Sequence, residues 1–274
     1  MMYMKHFVCV IVLLVAFVSD SVMAIPSQGN NGEWKLVFSD EFNGPNGSQP
    51  DSTKWVRCIR YNAGWNRWIS NSKDVVYIKN GKLVCRAIPN TKEPGDTAKM
   101  LTGAIETRGK YAFQYGKVEV RMKTNTARGN FPAAWMKPAK IDPNRYGEID
   151  IVEMFGDQGL VHQTVHNHLT TTLKKGCPAT TNKALSVNKW HVYGLEWSPE
   201  KLVFTIDGQV TKVFQKSSNK KELDDGQWTF DRPFYLLLNQ SVGDYGMNEY
   251  LTPDIKHVYE TRFDWIRVYQ KEQK

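Results

Sequence analysis

The chain has 274 residues, a formal charge of +8, nine Trp, twelve Tyr and twelve Phe. Its basic residues are scattered, and the run "KSSNKKELDD" carries its own acids, so the basic stripe expected of a nucleic-acid binder is absent. Beyond the first 24 residues the cysteines are Cys58, Cys85 and Cys177, with no CxxC pair, which points away from a disulfide framework and from a zinc site.

The chain opens with Lys5 and His6, then the apolar run "FVCVIVLLVAFV", then "SDSVMA". Val22 and Ala24 occupy the small-residue positions of a secretory leader, so residues 1–24 are expected to be removed before Ile25. The run is shorter than the roughly 20 residues of a transmembrane helix, and Cys9 sits inside it rather than at a lipid-anchor position. The expectation is a secreted or periplasmic protein with no membrane partner. Residues 25–274 show no linker, repeat or low-complexity tract and are read as one domain, expected to act as a monomer. Their aromatic richness suits a core, and also a cleft that stacks on flat ligand faces.

Strand-like segments then follow one another: "WKLVFSDEF", "DVVYIKNGKLVCRAI", "YGKVEVRMKT", "HQTVHNHL", "WHVYGLEWS", "KLVFTIDGQVTKVF", "PFYLLLNQSV" and "TRFDWIRVYQ". "KNGK" and "IDGQ" carry the Asn-Gly and Asp-Gly signals of tight hairpins. No stretch holds a helical period beyond one or two turns. The predicted class is all-β, a two-sheet sandwich or a barrel. In "YGKVEVRMK", alternation puts Lys117, Glu119, Arg121 and Lys123 on one side and Val118, Val120 and Met122 on the other. That polar side fits a solvated face or a cleft equally well. "HQTVHNH" places His162, Thr164, His166 and His168 together, without the further ligands that a metal site needs.

The most informative stretch is "YGEIDIVEMFGD", residues 146–157, where three acids interrupt a run that otherwise reads as a buried strand. Regular alternation puts Glu148 and Asp150 on one face and Glu153 on the other. A bulge of one extra residue returns Glu153 to the face of the first two and leaves the apolar residues pointing into the core. Three acids along a straight strand do not converge on a calcium ion. They fit a paired-carboxylate catalytic site better. A retaining glycosidase needs two carboxyl groups about 5–5.5 Å apart. Four effective strand positions separate the backbones of Glu148 and Glu153 by roughly 13 Å, a gap that two inward-leaning side chains largely close. Asp150, between them, would hydrogen-bond Glu148 and add negative charge that keeps Glu153 protonated.

"GEIDIVE" resembles the signature of glycoside hydrolase family 16 in its bulged Glu-x-Asp-x-x-Glu form. "LVFSDEFNG", "TKW", "NGKL", "YGKVEVRMK", "GNFPAAWMKP", "HQTVH", "WHVYGLEWSPEKLVFTIDG", "PFYLLLN" and "FDWIRVYQ" resemble the same family in the same order, over residues 34–270. The resemblance implies a β-jelly-roll sandwich of two antiparallel sheets with a concave substrate cleft, and retaining endo-hydrolysis of a β-linked polysaccharide or oligosaccharide. It makes Glu148 the nucleophile, Asp150 its assistant and Glu153 the general acid/base. It turns Glu119 and Arg121 toward the cleft as sugar ligands, and adds Trp135 near the scissile bond, His166 beside the acid/base and Tyr146 as a sugar platform. No cofactor for catalysis is implied. One structural calcium on the convex side is, held by Glu41, the Gly81 carbonyl and Asp264.

The motif and "WHVYGLEW" are most similar to the laminarinase and mixed-linkage glucanase branch, which implies a β-1,3- or β-1,3/1,4-glucan. Three stretches depart from it. "GWNRW" at residues 64–68 replaces "GWGNNE", Phe131 stands where Trp-Pro-Ala is usual, and "GDYG" at 243–246 replaces a Gly-Gly-x-Trp segment. Trp65 and Trp68 are expected to build the negative subsites, with Arg67 adding a charge that a neutral glucan does not require. An endo-β-galactosidase acting on galactose-containing glycans is the alternative substrate reading, and a transglycosylase with the same residues the alternative outcome.

Overall fold

The two Asx-Gly pairs form the expected hairpins in the computed structural model, which describes residues 33–91, 95–243 and 252–272. Asn80 and Gly81 both adopt positive φ (53° and 64°), as do Asp207 and Gly208 (50° and 78°). Such turns match the right-handed twist of the strands they join. The expected leader and residues 244–246 of "GDYG" lie outside the described residues.

Among the described residues the chain runs through β1 (Trp34–Asp40), β2 (Val56–Arg57), β3 (Val76–Ile78), β4 (Leu83–Pro89) and β5 (Met100–Glu106). It continues through β6 (Gly116–Thr124), β7 (Asn130–Pro138), β8 (Gly147–Met154), β9 (Leu160–Asn167) and β10 (Ala179–Ala184). β11 (His191–Trp197), β12 (Lys201–Ile206), β13 (Gln209–Gln215), the one-turn helix α1 (Lys220–Asp224), β14 (Phe234–Val242) and β15 (Tyr259–Lys271) complete it.

These strands build two antiparallel layers, as expected. One has the order β10-β9-β8-β7-β14-β5, with β2 paired to β5. The other has the order β4-β15-β6-β11-β12-β13, with β1 on β15 and β3 on β4. β5 belongs to both. Its first half (Met100–Thr102) pairs with β4 and its second half (Gly103–Glu106) with β14. The crossing falls at Gly103, where a Cβ would lie 2.0 Å from the Val75 carbonyl oxygen, so no side chain fits there.

The core lies between the layers. Val118, Val120 and Met122 of β6 meet Ile149, Ile151 and Val152 of β8, Ala134 and Met136 of β7, and Leu236 and Leu238 of β14. Each of these side chains larger than alanine contributes about 1.5–3 kcal/mol by leaving water. The opposite side of the first layer carries a second cluster: Ala104, Ala133, Trp135, Tyr235 and Leu237, with Trp65 packed on it. β7 and β14 are therefore covered on both faces, and that second face is the floor of the candidate site.

Candidate active site

The bulge expected in β8 is present. Against β9, Glu148 pairs with His166 and Asp150 with Thr164, then the register shifts and Glu153 pairs with His162. Against β7, Asp150 faces Trp135 and Glu153 faces Ala133, again with a shift between them. Trp135 and Ala133 belong to the floor cluster, whereas Ile149, Ile151 and Val152 are in the core. One extra residue thus brings all three acids onto the open face.

Their environments differ. Glu148 is the best supplied with donors: the Tyr146 hydroxyl donates to its Oε2 at 3.0 Å, and the Lys137 ammonium stands 3.7 Å from the same oxygen. His166 Nε2 lies 3.9 Å from Glu148 Oε1 and 3.2 Å from Asp150 Oδ2. Asp150 is almost fully buried at 1% exposure. Burial, then the charge of Glu148, pushes its carboxyl well above the usual range, against the pull of Lys137 and a hydrogen bond with Glu153. Glu153 is pushed up as well, by burial first and then by the charges of Asp150 and Glu148. Donation to Asp150 raises it further, and His166 works in the opposite direction. Glu153 is therefore set to keep a proton, while Glu148 is the carboxyl held by the Tyr146 hydroxyl and the Lys137 ammonium.

That arrangement fixes the sign of an Asp150→Asn experiment. Removing the Asp150 charge lets Glu153 lose its proton at lower pH, so the alkaline limb of the kcat/KM profile moves to lower pH. The turnover loss should be smaller than for either glutamate. An alkaline limb that stays in place would remove Asp150 from the role of holding that proton.

Trp135 is fixed from below. Its Nε1 donates to Asn239 Oδ1 at 2.8 Å, while Asn239 Nδ2 donates to the Phe131 carbonyl at 3.2 Å and to Ser241 Oγ at 3.0 Å. Trp65 meets Trp135 edge to face, with centroids 4.9 Å apart. The Lys137 ammonium lies 4.9 Å from the Trp135 ring centroid and 6.0 Å from that of Trp65. A cavity of about 610 Å³ opens beside Lys137 and Tyr146, with Trp65, Glu106, Arg108 and Tyr235 in its wall. On the far side of Glu153, Phe131 stacks on Phe155 at 4.8 Å, and Phe155 meets His162.

Glu148, Asp150, Glu153, Tyr146, Trp135, Trp65 and His166 therefore come together, with two differences from the expectation. His166 stands beside Glu148 and Asp150 rather than beside Glu153, which pairs with His162. Asp150 is hydrogen-bonded to Glu153 rather than to Glu148. Lys137, Asn239, Glu106 and Tyr235 were not anticipated. Alternation could have found three of them, because Lys137 shares the face of Trp135, and Tyr235 and Asn239 flank Leu237 on one side of β14. Oxygen and nitrogen atoms of Glu148, Asp150 and His166 lie within 4.8 Å of one another, near enough for a metal ion. Lys137 already supplies the positive charge at Glu148.

Three expectations, for Glu119, Arg121 and Trp68, require correction. Glu119 and Arg121 do not face the cleft. β6 pairs with β15 and β11 in the other layer, and its core side is taken by Val118, Val120 and Met122, so its polar side points away from the acids. Glu119 receives Lys117 at 3.2 Å, and Arg121 bonds Asp264 beneath Trp190. Trp68 packs not beside Trp65 but against Ala87, Met100, Val242 and Tyr259, with the Arg67 guanidinium 4.5 Å above its ring. The expected calcium ligands Glu41, Gly81 and Asp264 lie with the outer layer, where they meet side-chain cations. Arg267 grips Glu41 through two bonds of 2.9 and 2.8 Å, and Lys82 and Arg121 hold Asp264.

A two-layer β-sandwich with paired carboxyl groups in unequal surroundings on its open face is the layout of a glycosidase that works through two acids. A model of glycosyl hydrolases family 16 matches residues 65–254, and the chain belongs to that family. It is 30% identical over 242 residues to a keratan-sulfate endo-1,4-beta-galactosidase of Sphingobacterium multivorum, covering 87% of this chain and 56% of that one. The chain thus spans little more than half of that relative. It is 29% identical to a beta-glucanase of Rhodothermus marinus over 94% of this chain and 93% of that one. Among solved structures, the laminarinase from Rhodothermus marinus superposes with a TM-score of 0.73 at 27% identity, over 89% of this chain and all of that one.

Proposed function

We propose that the protein is a retaining endo-β-glycosidase that hydrolyses β-1,3- or mixed-linkage β-1,3/1,4-glucan. The observation that carries this reading is the bulge of β8, which aligns an anion-supporting Glu148 and a proton-retaining Glu153 on one open face. In the first step the Glu148 carboxylate attacks the anomeric carbon while Glu153 gives its proton to the departing glycosidic oxygen. A glycosyl ester on Glu148 results. In the second step Glu153, now a carboxylate, takes a proton from water, and the water oxygen displaces Glu148 with the anomeric configuration retained. Asp150 holds the proton on Glu153 through charge and a hydrogen bond. Tyr146 and Lys137 orient Glu148. Similarity to the beta-glucanase and to the laminarinase supports a glucan as substrate.

One observation favours a second reading, endo-hydrolysis of a galactose-containing glycan. Lys137 spreads its charge over the Trp135 and Trp65 rings, where a neutral glucose unit would stack, and one relative is a keratan-sulfate endo-beta-galactosidase. The test is incubation of the purified protein with laminarin, barley mixed-linkage glucan, agarose and keratan sulfate, with the products separated by chromatography. Shorter oligosaccharides from the two glucans are expected. Products from the galactose-containing glycans alone would replace the glucan reading with the second one. Chains longer than the starting material would identify transglycosylation. No product from any of the four would sink the hydrolase assignment.

A further inference from the structure

We infer that the outer layer carries its own cation in place of calcium, with the Lys82 ammonium standing where the metal ion would. Lys82 Nζ lies 2.6 Å from Asp264 Oδ1 and donates to the Gly81 carbonyl at 3.1 Å. One ammonium therefore engages two of the three groups that a calcium ion was expected to bind. The third, Glu41, is closed off by the paired bonds from Arg267.

Local backbone geometry explains the coincidence. β15 loses register with β6 between Phe263 and Trp265, so Asp264 is an extra residue turned out of the ladder, and it is only 9% exposed. Phe263 pairs with Leu83 of β4, which sets Asp264 beside the residue before Leu83, namely Lys82. The left-handed turn at Asn80 and Gly81 presents the Gly81 carbonyl to the same place. A carboxylate this buried needs a positive partner, and it has two, since Arg121 bonds its other oxygen.

Charge and coordination both exclude calcium alongside these groups. Calcium takes about 6–8 oxygen ligands at roughly 2.3–2.6 Å, whereas every expected ligand here already accepts from a nitrogen. The two carboxylates Glu41 and Asp264 face three fixed cations, Lys82, Arg121 and Arg267. The cluster is already positive by one charge, and a divalent ion would raise that to three. Calcium could enter only by expelling Lys82 and Arg121 into water. The fold should therefore hold where calcium is scarce or chelated.

Thermal unfolding of the full chain tests this, in EDTA and in millimolar calcium chloride, for the wild type and for Lys82→Met, which keeps an apolar stem without the charge. The wild type should melt at the same temperature in both media. Lys82→Met should melt lower than the wild type in EDTA, by about 3 °C or more. A wild-type Tm that falls in EDTA and recovers with calcium would overturn the inference, because the site would then be a metal site. A Lys82→Met protein that melts with the wild type would overturn it too, since the ammonium would hold nothing. If Lys82→Met does not fold, the wild-type comparison alone decides.

Discussion

Glu148→Gln is expected to abolish turnover, by about ten-thousand-fold or more, while melting within a few degrees of the wild type. Glutamine keeps the shape of the side chain and can still meet Tyr146 and His166, so the sheet has no reason to rearrange. What is lost is the electron pair that forms the bond to the anomeric carbon, and nothing else near that carbon replaces it. Asp150 is the closest acid, but it is buried and committed to Glu153 and His166. The loss should therefore appear in kcat with every substrate, however good its leaving group. A Glu148→Gly protein supplied with azide makes the complementary measurement. A small anion in the vacated space should restore cleavage and leave an azide sugar of inverted configuration. A Glu148→Gln protein that is fully active would remove the nucleophile assignment.

Glu153→Gln should behave differently, and the difference separates the two roles. General acid catalysis contributes about 100- to 10,000-fold, so natural polysaccharides should lose turnover in that range. An aryl glycoside whose phenol leaves without a proton should form the glycosyl ester almost normally. Its hydrolysis still needs Glu153 to activate water, so the ester should accumulate, giving a burst of phenol and a mass increase on the peptide that contains Glu148. Equal damage with aryl and natural substrates, and no burst, would mean that Glu153 is not the acid/base. The pH behaviour has the same origin: burial and the two neighbouring acids hold the Glu153 proton to higher pH, and activity falls as that proton is lost.

How much of this could be read beforehand follows from which residues alternate. β6 and β12 alternate buried with partly or fully exposed positions, and their sequence shows it. β5 and β14 are buried at every position, and β7 at all but its last two, because one face meets the core and the other is covered by the floor cluster. For β5 period-two reasoning has nothing to read, and in β7 only Lys137, two positions after Trp135, breaks the apolar run. The bulge in β8 was legible because three acids on one strand have no good structural explanation otherwise. The wrong side of Glu119 and Arg121 could not be avoided in the same way. Alternation says which residues share a face, but not which layer the strand joins, and that depends on pairing with β15, more than a hundred residues away. Lys82 was invisible for a related reason, since its meeting with Asp264 requires a bulge in β15 that no turn residue announces.

The position of the acids within the sheet bears on how the enzyme loses activity. Catalytic groups are often carried on loops, which open at small cost in free energy. Here they sit on β8, hydrogen-bonded to β7 on one side and to β9 on the other, over a core that spans both layers. The backbone amides of this segment can exchange with solvent only when those neighbouring strands separate, an opening close in free energy to unfolding of the whole domain. Heat then has no partial route to a folded but inactive state through these acids, and inactivation and melting should follow a single curve.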